Sequence, residues 1–296
     1  MKEKPFSKYQ ILANAVMIIW TLAIILPFIL LFMSSITDEN TLVANGYSFF
    51  PKKFSLASYS YIIKSGGQIL KAYGVSIGVT VVGTLLNVLL SALMASPLSV
   101  KNLPGRNVMM FFVFFTMLFN GGIVPSYIMW TGTFHIKDTI FAQLLPNFLL
   151  SAWNVMMIRT YFTTSIPDGL YEAAEIDGAS QFTIFWKIVL PLGKPILVTM
   201  GTFAGLAYWN DWTNGLYYIV KNTGLYNVQN LLNQMVQNIQ FLTQSSNSNV
   251  TAAASTIPAT GIQMAIAFVA ILPIMLIFPS FQKYYAKGIA LGAVKG

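Results

Sequence analysis

Apolar residues run along this chain in long continuous blocks, not in strict alternation or one-sided stripes. Blocks close to the ~20 residues that cross a bilayer as helix fall at about 11–33, 73–96, 107–129, 139–161, 195–212 and 256–281. They predict an all-α integral membrane protein with six transmembrane helices. The first block is longer than the apolar region of a signal peptide and lacks a small-residue cleavage site, so it reads as a retained span. After it, FFPKKFSLASYSYIIKSG reads as a turn at Pro51 and a short amphipathic helix. Between the fifth and sixth blocks lies a long loop, about 213–255, where VQNLLNQMVQNIQFL predicts a nearly uncharged helix rich in Asn and Gln. QSSNSN then reads as a flexible link. Asn120-Gly121-Gly122 followed by Pro125 predicts a break at the end of the third block.

Composition supports the same class. The chain is 55% hydrophobic and 9% charged, against about 25% charged in soluble domains. Zero Cys excludes disulfides and thiolate metal sites. One His, His135, excludes a His-cluster metal site and reads as structural beside Lys137 and Asp138. The +8 net charge gives no reason to expect nucleic acid, because the basic residues sort by membrane side. With the N-terminus inside, Lys2, Lys4, Lys8, Lys101, Arg106, Arg159, Lys187, Lys194, Lys283, Lys287 and Lys295 face the cytoplasm. Lys52, Lys53, Lys64, Lys71, Lys137 and Lys221 face out, a ratio of eleven to six. That bias predicts residues 1–10 as a cytoplasmic N-terminus, 11–283 as the transmembrane domain and 284–296 as a cytoplasmic tail.

The segment 167–191 breaks the pattern. Asp168, Glu172, Glu175 and Asp177 supply four of the nine acids in the chain within ten residues. Pro167 suits a first helical turn and Gly178 the left-handed position past a helix end. Asp168, Glu172 and Glu175 share a face at i, i+4, i+7, while Ala173 and Ala174 keep a neighbouring side thin. Ser180 predicts the cap of a second helix, Phe182, Phe185, Trp186 and Val189 its buried stripe, and Pro191 its end. On an anionic leaflet four carboxylates are repelled, so the pattern predicts a plug for a soluble cytoplasmic partner.

Polar groups within or beside the blocks are few. Asn87, Asn120, Asn147 and Asn210 read as interhelical hydrogen bonds or as the lining of a path. In Tyr208-Trp209-Asn210-Asp211-Trp212, aromatic rings either stack on sugar faces beside hydrogen-bonding groups or form an interfacial belt. Asn87, Asn120, Tyr208, Trp209, Asn210 and Asp211 are therefore the candidate substrate-path residues. Gly74/Gly78 and Gly201/Gly205 are spaced for close helix approach. There is no P-loop, no H-E-x-x-H and no Ser/His/Asp set, so the chain is not expected to be an enzyme.

Glu172-Ala173-Ala174, three residues, Gly178, nine residues, then Ile188-Val189-Leu190-Pro191 resembles the EAA loop of ABC importer permeases. The Trp209-Asn210-Asp211 segment, Ala270-Ile271-Leu272-Pro273 in the sixth block and the Gly288, Gly292, Gly296 tail resemble the maltose and oligosaccharide branch. The resemblance implies a type I importer fold with a cytoplasmic coupling helix. Glu172, Ala173, Ala174, Gly178, Ile188, Leu190 and Pro191, with Gly292, Lys295 and Gly296 of the tail, would meet the ATPase. It further implies a second permease forming a heterodimer, two ATPase subunits and an external sugar-binding protein that the 213–255 loop contacts. ATP and Mg would sit on the ATPase, with no cofactor on this chain. The expected place is the bacterial plasma membrane, and the expected cargo an oligosaccharide or complex glycan. The alternatives are a permease for a non-sugar solute, an ion-driven secondary transporter, which wants buried midplane carboxylates, and an intramembrane enzyme.

Overall fold

The computed structural model describes residues 8–64, 66–244 and 259–293. Among these residues the chain is helical nearly throughout, with no strand beyond an isolated bridge between Thr37 and Phe54. The chain divides into two compact units, one of residues up to Ile69 with Leu232–Pro273, the other of Leu70–Leu231 with residues from Ile274 on.

The first unit begins with α1 (Lys8–Ser35), followed by α2 (Glu39–Asn45) and α3 (Ala57–Lys64). The most apolar window of α1 buries none of its residues within the chain. A window apolar all round and unburied is suited to lipid or a partner helix, whereas Ser34 and Ser35 at the end of α1 are buried. The unit's core joins Ile62 to Ile262, Ala265 and Ile266, and Phe32 meets Phe268 at 4.9 Å between ring centroids. Glu39 closes the start of the last helix, where the Thr260 and Gly261 amides donate to its two carboxylate oxygens at 2.9 and 2.8 Å. A carboxylate there satisfies orphan amides and opposes the helix dipole. A side chain on Gly261 would fall 2.5 Å from the Ser58 hydroxyl.

The second unit contains α4 (Gly66–Ser99), α5 (Arg106–Leu118), α6 (Ile123–Ile128), α7 (Phe141–Leu144) and α8 (Ala152–Ser165). The short helices α9 (Asp168–Ile176), α10 (Gln181–Ile184) and α11 (Leu190–Leu192) lead to α12 (Lys194–Asn210). Beyond lie α13 (Thr213–Tyr218) and the first turn of α14 (Val228–Gln244), whose residues from Leu232 on belong to the first unit. The last helix, α15 (Ala259–Ala293), belongs to the first unit up to Pro273 and to the second from Ile274, and continues unbroken through Gly292. In the main core, α8 packs against α5 and α12 around Ala92, Ala95, Val155, Ile158, Phe162 and Met200. Gly201 and Gly205 let α12 approach α4, since a Cβ there would meet Val88 at 3.4 Å and Thr84 at 3.3 Å. At Gly83 the contact is closer still: a Cβ would lie 2.4 Å from the Tyr208 ring. Gly74 and Gly78, by contrast, face open space.

Several expectations are corrected. Three helices are long and apolar enough to cross a membrane among the described residues, or up to five if each bent pair is one span. The third span, expected to run to Met129 with a break at Asn120–Gly122, bends at that break, where Arg106–Leu118 and Ile123–Thr133 meet at 108°. Gly122 sits between them with φ +86°, a conformation open to glycine. The expected fourth span, 139–161, is broken between α7 and α8. Pro146 lacks the amide that would continue a helix, and Asn147 takes a left-handed φ of +67°. The helix expected to end at Pro191 ends one residue later, at Leu192, before the chain bends by 80° into α12. A π turn at Phe185–Val189 precedes the proline, and such wide turns reset the hydrogen-bond ladder ahead of a residue that cannot donate. Finally, Phe182 and Trp186 of the expected buried stripe are 66% and 45% exposed, whereas Ile184, Phe185 and Val189 are buried. The i→i+5 turn brings Val189 beneath Ile184 and Phe185, so the packed face is displaced by one residue.

Candidate functional site

The acid-bearing segment is a helix–turn–helix held by its own chemistry. Pro167 stands at the N-cap of α9 with extended backbone. The C-terminus closes on Gly178 at φ +77°, with the Gly178 amide donating to Glu175 O at 3.0 Å and the Ala179 amide to Ala174 O at 2.9 Å. These two bonds are the Schellman pattern, which requires a residue tolerant of positive φ. Ser180 then caps the next helix, its hydroxyl accepting from the Thr183 amide at 3.2 Å. The Gln181 amide bridges the turn by donating to the Glu175 carboxylate at 2.8 Å.

The residues expected to dock divide into two sets. Glu172, Ala173, Gly178 and Pro191 are exposed. Ala174 is buried, and Ile188 and Leu190 pack partly buried on the core around Val155, Ile158 and Phe162. Those three therefore hold the segment to the bundle. Gly193 tightens that seat, because a Cβ there would fall 2.5 Å from the Phe162 ring. The outer surface of α9 adds exposed Leu170 and Ile176 to its carboxylates. Asp168 forms an exposed ion pair with Lys101 at 2.7 Å, and Arg159 and Thr163 of α8 donate to the Leu98 and Ser99 carbonyls that end α4. Gly292 lies within α15; Lys295 and Gly296 fall outside the described residues.

A second polar constellation is buried. Gln143, Asp211, Asn214, Asn227 and Asn230 are each at most 5% exposed. Asn227 Nδ2 donates to Asp211 O at 2.6 Å and to Gln143 Oε1 at 3.3 Å, while its Oδ1 accepts from the Asn230 amide at 2.8 Å. Gln143 donates to Leu225 O and Asn230 Oδ1, Asn230 donates to Trp212 O, and Asn214 donates to Pro146 O at 3.1 Å. Ser76 of α4 accepts the Val228 amide at 2.8 Å. Together these bonds fasten the start of the long loop to α4 and α7. The sequence reading missed Gln143, Asn214, Asn227 and Asn230. The available signal was the density of amides in a loop whose one charged residue is Lys221, with Asn227 and Asn230 one helical turn apart.

The six substrate-path candidates are not brought together on one surface. Asn87 is 2% exposed, donates to Phe148 O at 2.6 Å and accepts from Asn154 at 2.7 Å. Tyr208 is buried and donates to Leu144 O at 2.9 Å, and Trp209 is buried beside Tyr73. Asp211 Oδ1 accepts from the Thr213 amide at 3.0 Å, the Thr213 hydroxyl at 2.7 Å and the Asn214 amide at 3.3 Å, which caps α13. Its other oxygen is buried without a hydrogen-bond partner. Asn120 and Asn210 remain exposed, and Asn120 accepts from the Gly122 amide in its own turn. A third acid has a plain local role: Asp138 Oδ1 accepts from the Val220, Lys221 and Asn222 amides at 2.7, 2.7 and 3.2 Å. Among the described residues no group of three His, Asp or Glu side chains is placed to hold a metal.

Comparison with known proteins places this geometry in context. Residues 74–291 match the family model described as binding-protein-dependent transport system inner membrane component. The chain is 36% identical to the Protein LplC of Bacillus subtilis (strain 168) over 272 residues, 92% of this chain and 90% of that one. It is 35% identical over 288 residues to the polygalacturonan/rhamnogalacturonan transport system permease protein YtcP of the same organism, covering 97% and 98%. Among solved structures it is similar to a chain of a bacterial ABC transporter involved in import of the acidic polysaccharide alginate. That match has a TM-score of 0.79 at 25% identity, over 96% of this chain and 100% of that one.

Proposed function

The chain belongs to the family of binding-protein-dependent transport system inner membrane components, and on that premise we propose that it is one permease half of an ATP-driven importer of an oligosaccharide or complex glycan. The observation that carries the reading is the exposed acidic helix α9, stopped at Gly178 and joined through the packed Ile188–Leu190 run to α12. In this proposal the loop 167–191 is the coupling helix on the cytoplasmic side. Glu172 pairs with a cation in a cleft of the ATPase, Ala173 admits close approach, and Ala174, Ile188 and Leu190 pass the motion to the bundle. Gly292, Lys295 and Gly296 of the tail reach the same ATPase, which carries ATP and Mg.

Both termini lie in the cytoplasm by the Lys/Arg bias. Six crossings result if the bent pair of Arg106–Leu118 and Ile123–Thr133 is one span, α12 crosses beyond the bend at Gly193, and the broken α7–α8 stretch is the sixth. A second permease completes the path, and the loop 213–255 meets an external sugar-binding protein. Asn120 and Asn210 are the path candidates still free to face a sugar, while Asn87, Tyr208, Trp209 and Asp211 shape the bundle behind them. ATP-driven closure of two ATPase copies draws the coupling helices together and shifts the bundle between two packings. Carbohydrate as cargo is supported by the similar proteins named for polygalacturonan/rhamnogalacturonan and alginate.

The test is the complex reconstituted with its partner subunits and assayed over a panel of neutral and acidic glycans. Losing one partner of a close charge pair at an interface weakens it by several kcal/mol, so Glu172→Arg is expected to lower uptake about tenfold or more. Membrane insertion and thermal stability stay unchanged. Uptake equal to that of the unaltered chain would overturn the docking role.

A further inference from the structure

The two halves of the acid-bearing segment differ in the properties a lipid surface recognises. From Asp168 to Asp177 there are four acids and no base; from Gln181 to Lys194 there are two lysines, Lys187 and Lys194, and no acid. The run Gln181–Leu192 meets Lys194–Asn210 at 80°. With α12 as a bilayer span, that angle lays the run close to the membrane plane. One face of it is closed by Ile184, Phe185 and Val189 in the core. The other carries Phe182 and Trp186, 66% and 45% exposed, with ring centroids 5.9 Å apart, and Leu192 at 46%. Lys187 and Lys194 are exposed beside them.

An in-plane helix with outward aromatics and flanking lysines has the chemistry of the membrane interface, where indole and phenyl rings sit at headgroup depth and ammonium groups meet lipid phosphates. We propose that Phe182, Trp186, Lys187 and Lys194 anchor this run in the headgroup layer of the anionic cytoplasmic leaflet. The same leaflet repels the four acids of α9. The segment is thereby poled, aromatic-basic half in lipid and acidic half in water, so that a pull on α9 turns the run about a fixed seat and reaches α12. The inference rests on the cytoplasmic placement of the loop proposed above.

The absence of cysteine from the chain makes single-site labelling direct. Phe182→Cys and, on α9, Ile176→Cys are labelled with an environment-sensitive fluorophore. Each is placed in the full complex in nanodiscs of phosphatidylglycerol and phosphatidylcholine. The label at 182 is expected to be quenched by nitroxide-bearing lipid at about 5–10 Å inside the interface and shielded from aqueous iodide, with the label at 176 giving the reverse. Lys187→Glu with Lys194→Glu should move the 182 label toward water in anionic but not in neutral discs. Iodide quenching at 182, or shielding that disappears when the ATPase is removed, would overturn the anchor in favour of a protein contact. Failure of the underlying placement reads differently: an impermeant thiol reagent would then modify Ile176→Cys from outside intact cells.

Discussion

Two polar regions of the same unit use their groups in opposite ways. Along α9 the carboxylates of Asp168, Glu172, Glu175 and Asp177 face outward, and the fold of the segment depends on backbone bonds around Gly178. In the amide cluster, Gln143, Asn214, Asn227 and Asn230 are buried; Gln143, Asn227 and Asn230 bond to one another, and all four donate to chain carbonyls. An exposed polar group contributes little to stability and remains available to a partner; a buried one must be satisfied within the fold, and its removal leaves others unpaired. The contrast separates residues that transmit from residues that fasten.

The comparison can be broken most forcefully at Asn227. Replacement by Leu strands Asp211 O, Gln143 Oε1 and the Asn230 amide, each a buried group whose loss of partner costs about 1–3 kcal/mol, so a fall in unfolding free energy of about 3–5 kcal/mol is expected. Thermal unfolding in detergent measures it, and a loss below about 1 kcal/mol would show that the cluster does not fasten the loop. Next is Gly178→Val. A β-branched residue at φ +77° costs about 1–2 kcal/mol, and the strain falls on the turn of an exposed segment. Glycan uptake should therefore drop more than the melting temperature does. Equal losses in both would make the loop merely structural.

A narrower effect is expected at Asp138, between these extremes. Its carboxyl is held below the ordinary 3.8, first by the amide bond from Lys221, with further bonds from Val220 and Asn222 and the nearby Lys137 charge also lowering it against a desolvation that raises it. A depressed folded pKa contributes stability above the unfolded pKa and loses it as pH falls through the folded value. Hydrogen-exchange protection of the Val220, Lys221 and Asn222 amides should be constant from neutral pH down to the usual carboxylate range and decline below it. In Asp138→Asn the pH dependence should vanish; a persisting acid transition would assign it elsewhere. The smallest change belongs to Lys101→Ala. The ion pair with Asp168 is more than half exposed on both sides, so stability should move by no more than about 0.5 kcal/mol. A larger loss would mean that the outward carboxylates of α9 fasten the fold as well.

Much of the acid-bearing loop was legible in the chain because its determinants are local. A glycine at the required left-handed position and a serine before the second helix act over a few residues, and the observed caps at Gly178 and Ser180 follow them, while Pro167 stands one residue before the expected first turn. The helix of the long loop and the break at Asn120–Gly122 were legible for the same reason. The packed face of the Gln181–Leu192 run was not. A spacing of three and four residues fits two neighbouring faces of one helix, and the π turn that chose between them lies in the core with Phe162 and just ahead of Pro191, which has no amide to donate. The substrate-path residues misled for a related reason. Asn87, Tyr208 and Asp211 are polar groups in apolar surroundings, a pattern that describes a lining and a satisfied interior equally well, and only their partners at Phe148, Leu144 and Thr213 tell them apart.

The sequence by itself determined that this chain is a bundle of apolar helices with a charged, capped elbow between two of them, since hydropathy and capping act along the chain. Tertiary structure decided where spans bend or break, which glycines admit a neighbour, and which amides close into a buried network. Those outcomes depend on groups 60 to 150 residues apart, such as Asn87 with Phe148 and Ser76 with Val228. A polar side chain must find a partner when it leaves water, and no local pattern states which one it finds.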